Sequence, residues 1–237
     1  MKTALCFSGK LGKWELTKKS ILEKIIKPLK PDIFLSTWKN ENFKEFISFY
    51  KPKKIEILNF EDCKKDIFGK NCNQKLGLRP MCYGMSRSFS LISRKYKDYD
   101  LIIRLRPDLE IIDSLKRHEI KTNKYIKLPF YESHSIYNHE KELSKGMSFS
   151  FVFEKSILPN QINDQIALGP PQLMKQYMNC FNLIDHAVEF LKNNGYPSYM
   201  SEVPESVLTM CLKLNNIHYA RLSGTSDFGN LKVKLTK

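Results

Sequence analysis

Three short apolar runs, separated by stretches with helical spacing, open this chain, and that alternation limits its fold more than any other feature. Thr3 to Phe7 (Thr-Ala-Leu-Cys-Phe), Asp32 to Thr37 and Lys54 to Asn59 have the length and composition of strands. Between the first two, Trp14 to Ile26 places Leu16, Ile21, Leu22, Ile25 and Ile26 at helical intervals, with Pro28 and Pro31 bracketing the connection. Asn42 to Tyr50 supplies a second helix before the third strand. A β-α-β-α-β order predicts a mostly parallel sheet with right-handed crossovers, covered by helices.

A fourth apolar run adds chemistry. In Tyr99-Asp100-Leu101-Ile102-Ile103-Arg104-Leu105-Arg106-Pro107-Asp108-Leu109, the centre Leu101-Ile102-Ile103 reads as a buried strand that runs straight into Arg106-Pro107-Asp108. Asp108 is therefore expected where the sheet ends and a loop begins, the edge at which open α/β sheets bind ligands. A carboxylate holding a divalent cation, beside guanidinium groups on phosphate oxygens, suits a metal-bound diphosphate. The same Arg-x-Asp also reads as a strand-end salt bridge.

Further along, residues 60–78 are polar, contain Gly69 and Gly77, and read as a loop, followed by a helix from Pro80 to Tyr96. Residues 113–145 are rich in His, Asn, Lys and Tyr, with one strand expected at Lys124 to Leu128, and suit a mobile lid. A strand at Met147 to Glu154 and a short element at Asp164 to Leu168 come next. Helices are expected at Pro171 to Asn193, closed by Asn194-Gly195, and at Pro204 to Leu214, then a strand at His218 to Leu222. With no internal repeat or low-complexity linker, the expectation is a single α/β domain over residues 1–237.

Composition excludes several classes. Apolar residues make up 42% of the chain, enough for a core, but the longest apolar runs are far too short to span a bilayer. The apolar run after Met1 stops at Ser8-Gly9-Lys10 and reads as a strand, not a secretion signal, which points to the cytoplasm. Six cysteines show no C-x-x-C pair and no matching histidine spacing, which argues against structural zinc and for reduced thiols. The formal net charge of +14 comes from lysines scattered along the chain. They suit a solvated surface, an anionic membrane face or an acidic nucleotide. The absence of an arginine-rich block or an aromatic-basic signature argues against nucleic acid.

Candidate site residues follow from motifs. Ser8-Gly9-Lys10-Leu11-Gly12-Lys13 departs from a P-loop because Gly9 and Gly12 are too close and Trp14 stands where the hydroxyl should be. What remains is a small-residue turn able to bring backbone N–H groups to a phosphate, with Phe7, Ser8 and Gly9 as binding candidates. Arg79 and Tyr83 sit at the start of the helix preceding the Asp108 strand and are placed near the same ligand. Asp164, within Asn160-Gln161-Ile162-Asn163-Asp164-Gln165-Ile166-Ala167-Leu168-Gly169, is either a cap or a carboxylate facing the reacting centre. Glu202 and Glu205 flank Pro204 at a helix start, which is ordinary helix-start chemistry or a second carboxylate. The histidines form no ligand pair, and hydrolase and metalloprotease signatures are missing.

Taken in order, Tyr99-Asp100 with the apolar run, Arg104-x-Arg106-x-Asp108-Leu109, the Met81-x-Tyr83 helix before it and Asn163-Asp164-Gln165-x-Ala167-x-Gly169 after it resemble small GT-A glycosyltransferases of bacterial surface polysaccharide loci and large DNA viruses. The resemblance runs from Met1 to about His218 and includes Ala4 to Gly9 and Asp32-Ile33-Phe34. It implies a GT-A-like, Rossmann-like fold with a nucleotide-binding half (1–112) and an acceptor-binding half (113–237). It also implies a nucleotide-sugar donor and a glycan or glycolipid acceptor; the lysine-rich charge separately suggests peripheral contact at an anionic membrane. Asp108 stands where the family's Asp-x-Asp motif would hold Mn²⁺ or Mg²⁺, but Arg106 occupies the first acidic position, so Arg104 and Arg106 take over the diphosphate in part or wholly. Asp164 matches the region of the acceptor-side carboxylate and is expected to be the base of an inverting transfer, with Glu205 as a further catalytic candidate. A nucleotidyl- or phosphotransferase on a similar sheet, and a non-catalytic basic binding protein, are the competing readings.

Overall fold

The computed structural model describes residues 1–39, 42–69, 77–92, 94–111, 126–128, 165–196, 201–217, 219–221 and 233–235. Strands β1 (Thr3–Gly9), β2 (Asp32–Trp38), β3 (Lys54–Leu58), β4 (Leu101–Leu105), β6 (Ile126–Leu128), β7 (Ile166–Gly169) and β8 (Tyr219–Arg221) form one seven-stranded sheet in the order β3-β2-β1-β4-β7-β6-β8. Strands β5 (Leu109–Ile111) and β9 (Val233–Leu235) pair antiparallel as a separate ribbon. Pairings β1–β2, β2–β3, β1–β4 and β6–β8 are parallel, whereas β7 runs antiparallel to both β4 and β6. The expected α/β class with a mostly parallel sheet is what the chain builds. β1 lies between β2 and β4, so the connections leave it on both sides, and such a switch point opens a crevice at the carboxyl ends of the strands.

Helices cover both faces, and the strand period shows why. Ala4 and Cys6 of β1 and Ile102 of β4 join a core formed with α4 (Leu78–Ser90), α5 (Pro171–Met178), α6 (Ile184–Asn193) and α7 (Pro204–Leu214). Leu5 and Phe7, with Leu101, Ile103 and Leu105, face the opposite core against α1 (Trp14–Ile21) and α2 (Phe43–Tyr50). Both faces of β1 and β4 are buried, which is why these strands read as nearly continuous apolar runs.

Several expectations change. Helix α1 buries Trp14, Thr17 and Ile21, while Leu16, expected on its apolar face, is 66% exposed. The helical path passes through a π-turn at Leu22–Ile26 and continues to Leu29. The widened turn directly precedes Pro28, which has no N–H and whose ring would crowd the carbonyl four residues back. Residues 60–78, expected as a loop, contain α3 (Phe60–Phe68), started by Asn59 Oδ1 accepting from the Glu61 amide at 3.3 Å. The helix expected from Pro80 to Tyr96 ends at Ser90, with a 3₁₀ turn at Tyr96–Asp98. The helix expected over Pro171 to Asn193 breaks after Met178 into a 3₁₀ turn at Cys180–Leu183. There the Asn179 amide side chain donates to the Lys175 carbonyl at 2.8 Å and competes with the helical ladder. The lid at 113–145 and the strand at Met147 to Glu154 lie outside the described residues, apart from β6.

Candidate functional site

The turn after β1 is set by two glycines. Gly9 has φ of +103° and its carbonyl accepts the Thr37 hydroxyl at 2.8 Å, which ties the ends of β1 and β2 together. Gly12 has φ of +57°, and a Cβ there would stand 2.9 Å from the Asp108 Cβ. Only glycine allows both the turn and the close approach of Asp108. The loop after β4 is also fastened to α1, because the Thr17 hydroxyl donates to the Pro107 carbonyl at 2.6 Å.

Arg104 sits one step from the end of β4, on the face that also carries Ser8. Parallel register pairs it with Cys6, so its side chain leans toward the strand ends and its Nε donates to Ser8 Oγ at 2.9 Å. The residue is fully buried, and among the described residues both terminal nitrogens, Nη1 and Nη2, have no hydrogen-bond partner. A buried charge without a partner is among the most costly arrangements a fold can hold. Nearby thiols do not neutralise it. Cys82 is pushed well above the ordinary thiol range by its hydrogen bond with Cys180 at 3.5 Å and by burial, and burial pushes Cys6 up to about 12. An anion arriving from the cleft is the partner this guanidinium lacks.

That cleft, of about 340 Å³, lies at the carboxyl ends of β1, β2 and β4 and is lined by Ser8, Lys10, Trp38, Arg104, Arg106 and Glu205, among others. The N-terminal residues of two helices also line it: Gly77, Leu78, Pro80 and Met81 at α4, and Pro204 and Glu205 at α7. Neither cap residue makes a side-chain hydrogen bond; α4 has no acidic residue in its first turn and directs its positive end toward this space, whereas Glu205 stands in the first turn of α7 and offsets that end. Gly84 of α4 rests against the Gly9 amide, with the position of an added Cβ 3.7 Å from that nitrogen, and this contact seats the helix over the strand end.

The sequence-predicted residues divide. Ser8, Gly9, Arg104, Arg106 and Glu205 come together around the cleft. Asp108 lies beside it, against Gly12, with its carboxylate held by Arg106 through Nε at 3.1 Å and Nη2 at 2.9 Å. Phe7 points its ring to the opposite face, into a cluster with Phe46 and Tyr50 at centroid distances of 5.1 and 5.0 Å, as strand alternation requires. Arg79 also turns away from the cleft. It forms an ion pair with Asp185 and donates to the Ile67 carbonyl at 3.4 Å, tying α4 to α3 and α6. Tyr83 lies behind the wall of the cleft, stacked on Trp38 at 6.3 Å, with its hydroxyl pushed up to about 12 by burial and by its hydrogen bond with Cys63. Asp164 lies outside the described residues, and Glu202 is exposed. Trp38 and Lys10 were not anticipated. Trp38 is the last residue of β2, one beyond the expected strand, and its position at the end of a parallel strand was the available signal.

A Mn²⁺ or Mg²⁺ ion at Asp108 was the expectation from the acidic motif. Both Asp108 oxygens are engaged by Arg106, and among the described residues no group of three His, Cys, Asp or Glu side chains is placed to hold a metal ion. A divalent cation held by Asp108 and substrate phosphates would have to displace the Arg106 guanidinium. Among the described residues, no helix is long and apolar enough to cross a membrane.

No protein-family model matches the chain, and no curated protein matches it. Solved structures with a similar fold include the apo form of mouse xyloside xylosyltransferase 1, at 12% sequence identity over 94% of this chain and 85% of that chain, with a TM-score of 0.49. A likeness of that extent says nothing about residue roles.

Proposed function

We propose that this chain is a glycosyltransferase that binds a nucleotide-diphosphate sugar in the cleft at the carboxyl ends of β1 and β4 and transfers the sugar to a hydroxyl of a glycan or glycolipid. The observation that carries this reading is Arg104, buried, anchored on Ser8, with two terminal nitrogens unpartnered beside an open cleft. Glycosyl transfer breaks the bond between the sugar C1 and the diphosphate oxygen, and the electron pair leaves with the diphosphate. Preorganised positive charge where that negative charge grows lowers the barrier. The acceptor hydroxyl forms the new bond to C1 and loses its proton to a carboxylate. Glu205, which lines the same cleft, is one candidate for that base, and Asp164 is the other. A base facing the sugar C1 opposite the diphosphate would give a single displacement with inversion. Trp38 provides an apolar wall for a base or sugar ring.

A thermal-shift screen of UDP, GDP, dTDP and CMP, followed by turnover of the matching sugar nucleotides, tests the reading. One diphosphate should raise the melting temperature with concentration, and its sugar form should release intact nucleoside diphosphate. Transfer of a nucleotidyl or phosphoryl group instead would show a different enzyme class. No shift with any nucleotide would favour a basic binding protein.

A further inference from the structure

Within the donor site proposed above, and resting on that reading, we infer that the diphosphate is held without a divalent cation. Arg104 and the N-terminus of α4 take the cation's place. The argument begins with charge. Arg104 carries one full positive charge, fixed in position by Ser8 Oγ at 2.9 Å and wholly removed from water. The N-terminus of α4, with no acidic residue in its first turn, adds the equivalent of about half a charge at the same cleft, whereas Glu205 offsets the N-terminus of α7. Together Arg104 and α4 supply most of one divalent ion's charge, and they are already in place before the ligand arrives.

The carboxylate side points the same way. Asp108, the residue an Asp-x-Asp site would use, accepts two hydrogen bonds from Arg106. A cation at Asp108 would have to displace a bidentate guanidinium, the strongest partner a carboxylate commonly has in a protein. Gly12 lies alongside the Asp108 side chain, where an added Cβ would stand 2.9 Å from Asp108 Cβ. Arg106 at the first acidic position thus does two things. It removes one metal ligand by identity and engages the other by contact. Arg104 then supplies Nη1 and Nη2 to diphosphate oxygens, in the forked geometry that suits phosphate. As the sugar C1–oxygen bond breaks, the electron pair goes to the β-phosphate oxygen, and the guanidinium meets the added charge. The acceptor proton passes to the carboxylate base, so no redox partner or further reactant is needed.

Isothermal titration of the full chain tests this, using inorganic pyrophosphate, UDP, GDP, dTDP and CMP, once in EDTA and once in Mn²⁺. Pyrophosphate and one nucleoside diphosphate should bind in EDTA, with Kd changing less than about threefold in Mn²⁺. In Arg104→Met that Kd should rise about 100-fold, the loss expected for a forked, charge-assisted contact. Ser8→Ala removes only the anchor and should weaken binding about tenfold, which keeps the test open if Arg104→Met does not fold. Pyrophosphate binding that requires Mn²⁺, or that survives Arg104→Met in EDTA, overturns the inference, as does no pyrophosphate binding in EDTA. Pyrophosphate binding in EDTA with no nucleotide bound sustains the anion site and removes the glycosyltransferase reading. A nucleotide bound only with Mn²⁺ sustains that reading and removes the inference.

Discussion

The two ends of the same sheet answer the question of partners in opposite ways. At the amino ends of the strands lies the larger cavity, about 590 Å³, lined by Lys2, Asp32, Phe34, Lys53, Lys54 and Tyr99, among others. Its inner polar groups are matched within the protein. Asp32 pairs with Lys53 at 2.6 Å and accepts from the Tyr99 hydroxyl at 2.9 Å, while Lys54 donates to the Leu91 carbonyl at 2.9 Å. The Lys2 ammonium lies 4.9 Å over the Tyr99 ring. At the carboxyl ends the cleft is smaller, about 340 Å³, yet it contains a buried guanidinium with two nitrogens unmatched. The comparison teaches that a buried guanidinium whose terminal nitrogens have no partner among the described residues, and not volume, marks the end of the sheet where a ligand belongs.

The largest effect should come from the residue that separates the two ends. Arg104→Met is expected to abolish most diphosphate affinity while the ligand-free protein melts at the same temperature or higher. Methionine fills similar space and removes an unpaired buried charge, a replacement that is often neutral or stabilising. Differential scanning calorimetry with and without ligand reads both halves. A large fall in melting temperature with binding intact would make Arg104 an ordinary structural residue, and the contrast between the two ends would collapse.

Next in size is Gly12→Ala. A side chain at φ +57° is strained, and the added carbon would meet Asp108 at 2.9 Å, so a stability loss of about 1–3 kcal/mol is expected by chemical denaturation. Diphosphate affinity should fall as well, because the Arg106–Asp108 pair must shift. A smaller change sharpens the contrast between neighbouring arginines. Arg79→Met should cost about 1 kcal/mol through its contacts with Asp185 and Ile67, and leave diphosphate Kd unchanged. Asp185 is 83% exposed, so screening limits the loss. A weaker Kd would return Arg79 to the ligand site.

Much of this was legible in the sequence, and the failures have physical causes. The order β1-α1-β2-α2-β3 shows in the change of apolar period from two to near four, because buried central strands and amphipathic helices leave different spacings. The Arg106-Pro107-Asp108 edge was visible because Pro107, which has no N–H for a strand ladder, follows the apolar run. Helix α3 was missed because it buries only Ile67. Its start signals, Asn59 followed by Glu61 and Asp62, were local and present. Which arginines reach the cleft was not legible. Arg104 does because its strand face is that of Ser8, and Arg79 does not because Asp185 and the Ile67 carbonyl hold its guanidinium. The β5–β9 pairing joins Leu109 to Leu235, a separation that no local pattern reports.

The smallest expected effect tests the other side of the comparison, that the amino-end cavity is structural. Burial raises the Asp32 carboxyl, but the hydrogen bonds from Lys53 and Tyr99 outweigh it and leave Asp32 below its ordinary value of 3.8. A carboxylate depressed in the folded state contributes stability above its unfolded value, and that contribution disappears as pH falls through the folded one. Asp32→Asn should therefore lower stability at pH 7 by about 0.5 kcal/mol, with the difference from wild type shrinking as pH falls below about 4. Diphosphate Kd should not move. Urea denaturation across pH 2–7 with a parallel titration of ligand decides it. A difference that persists at pH 2 would mean that the Asp32 charge contributes nothing, and a changed Kd would mean that the two ends of the sheet are coupled.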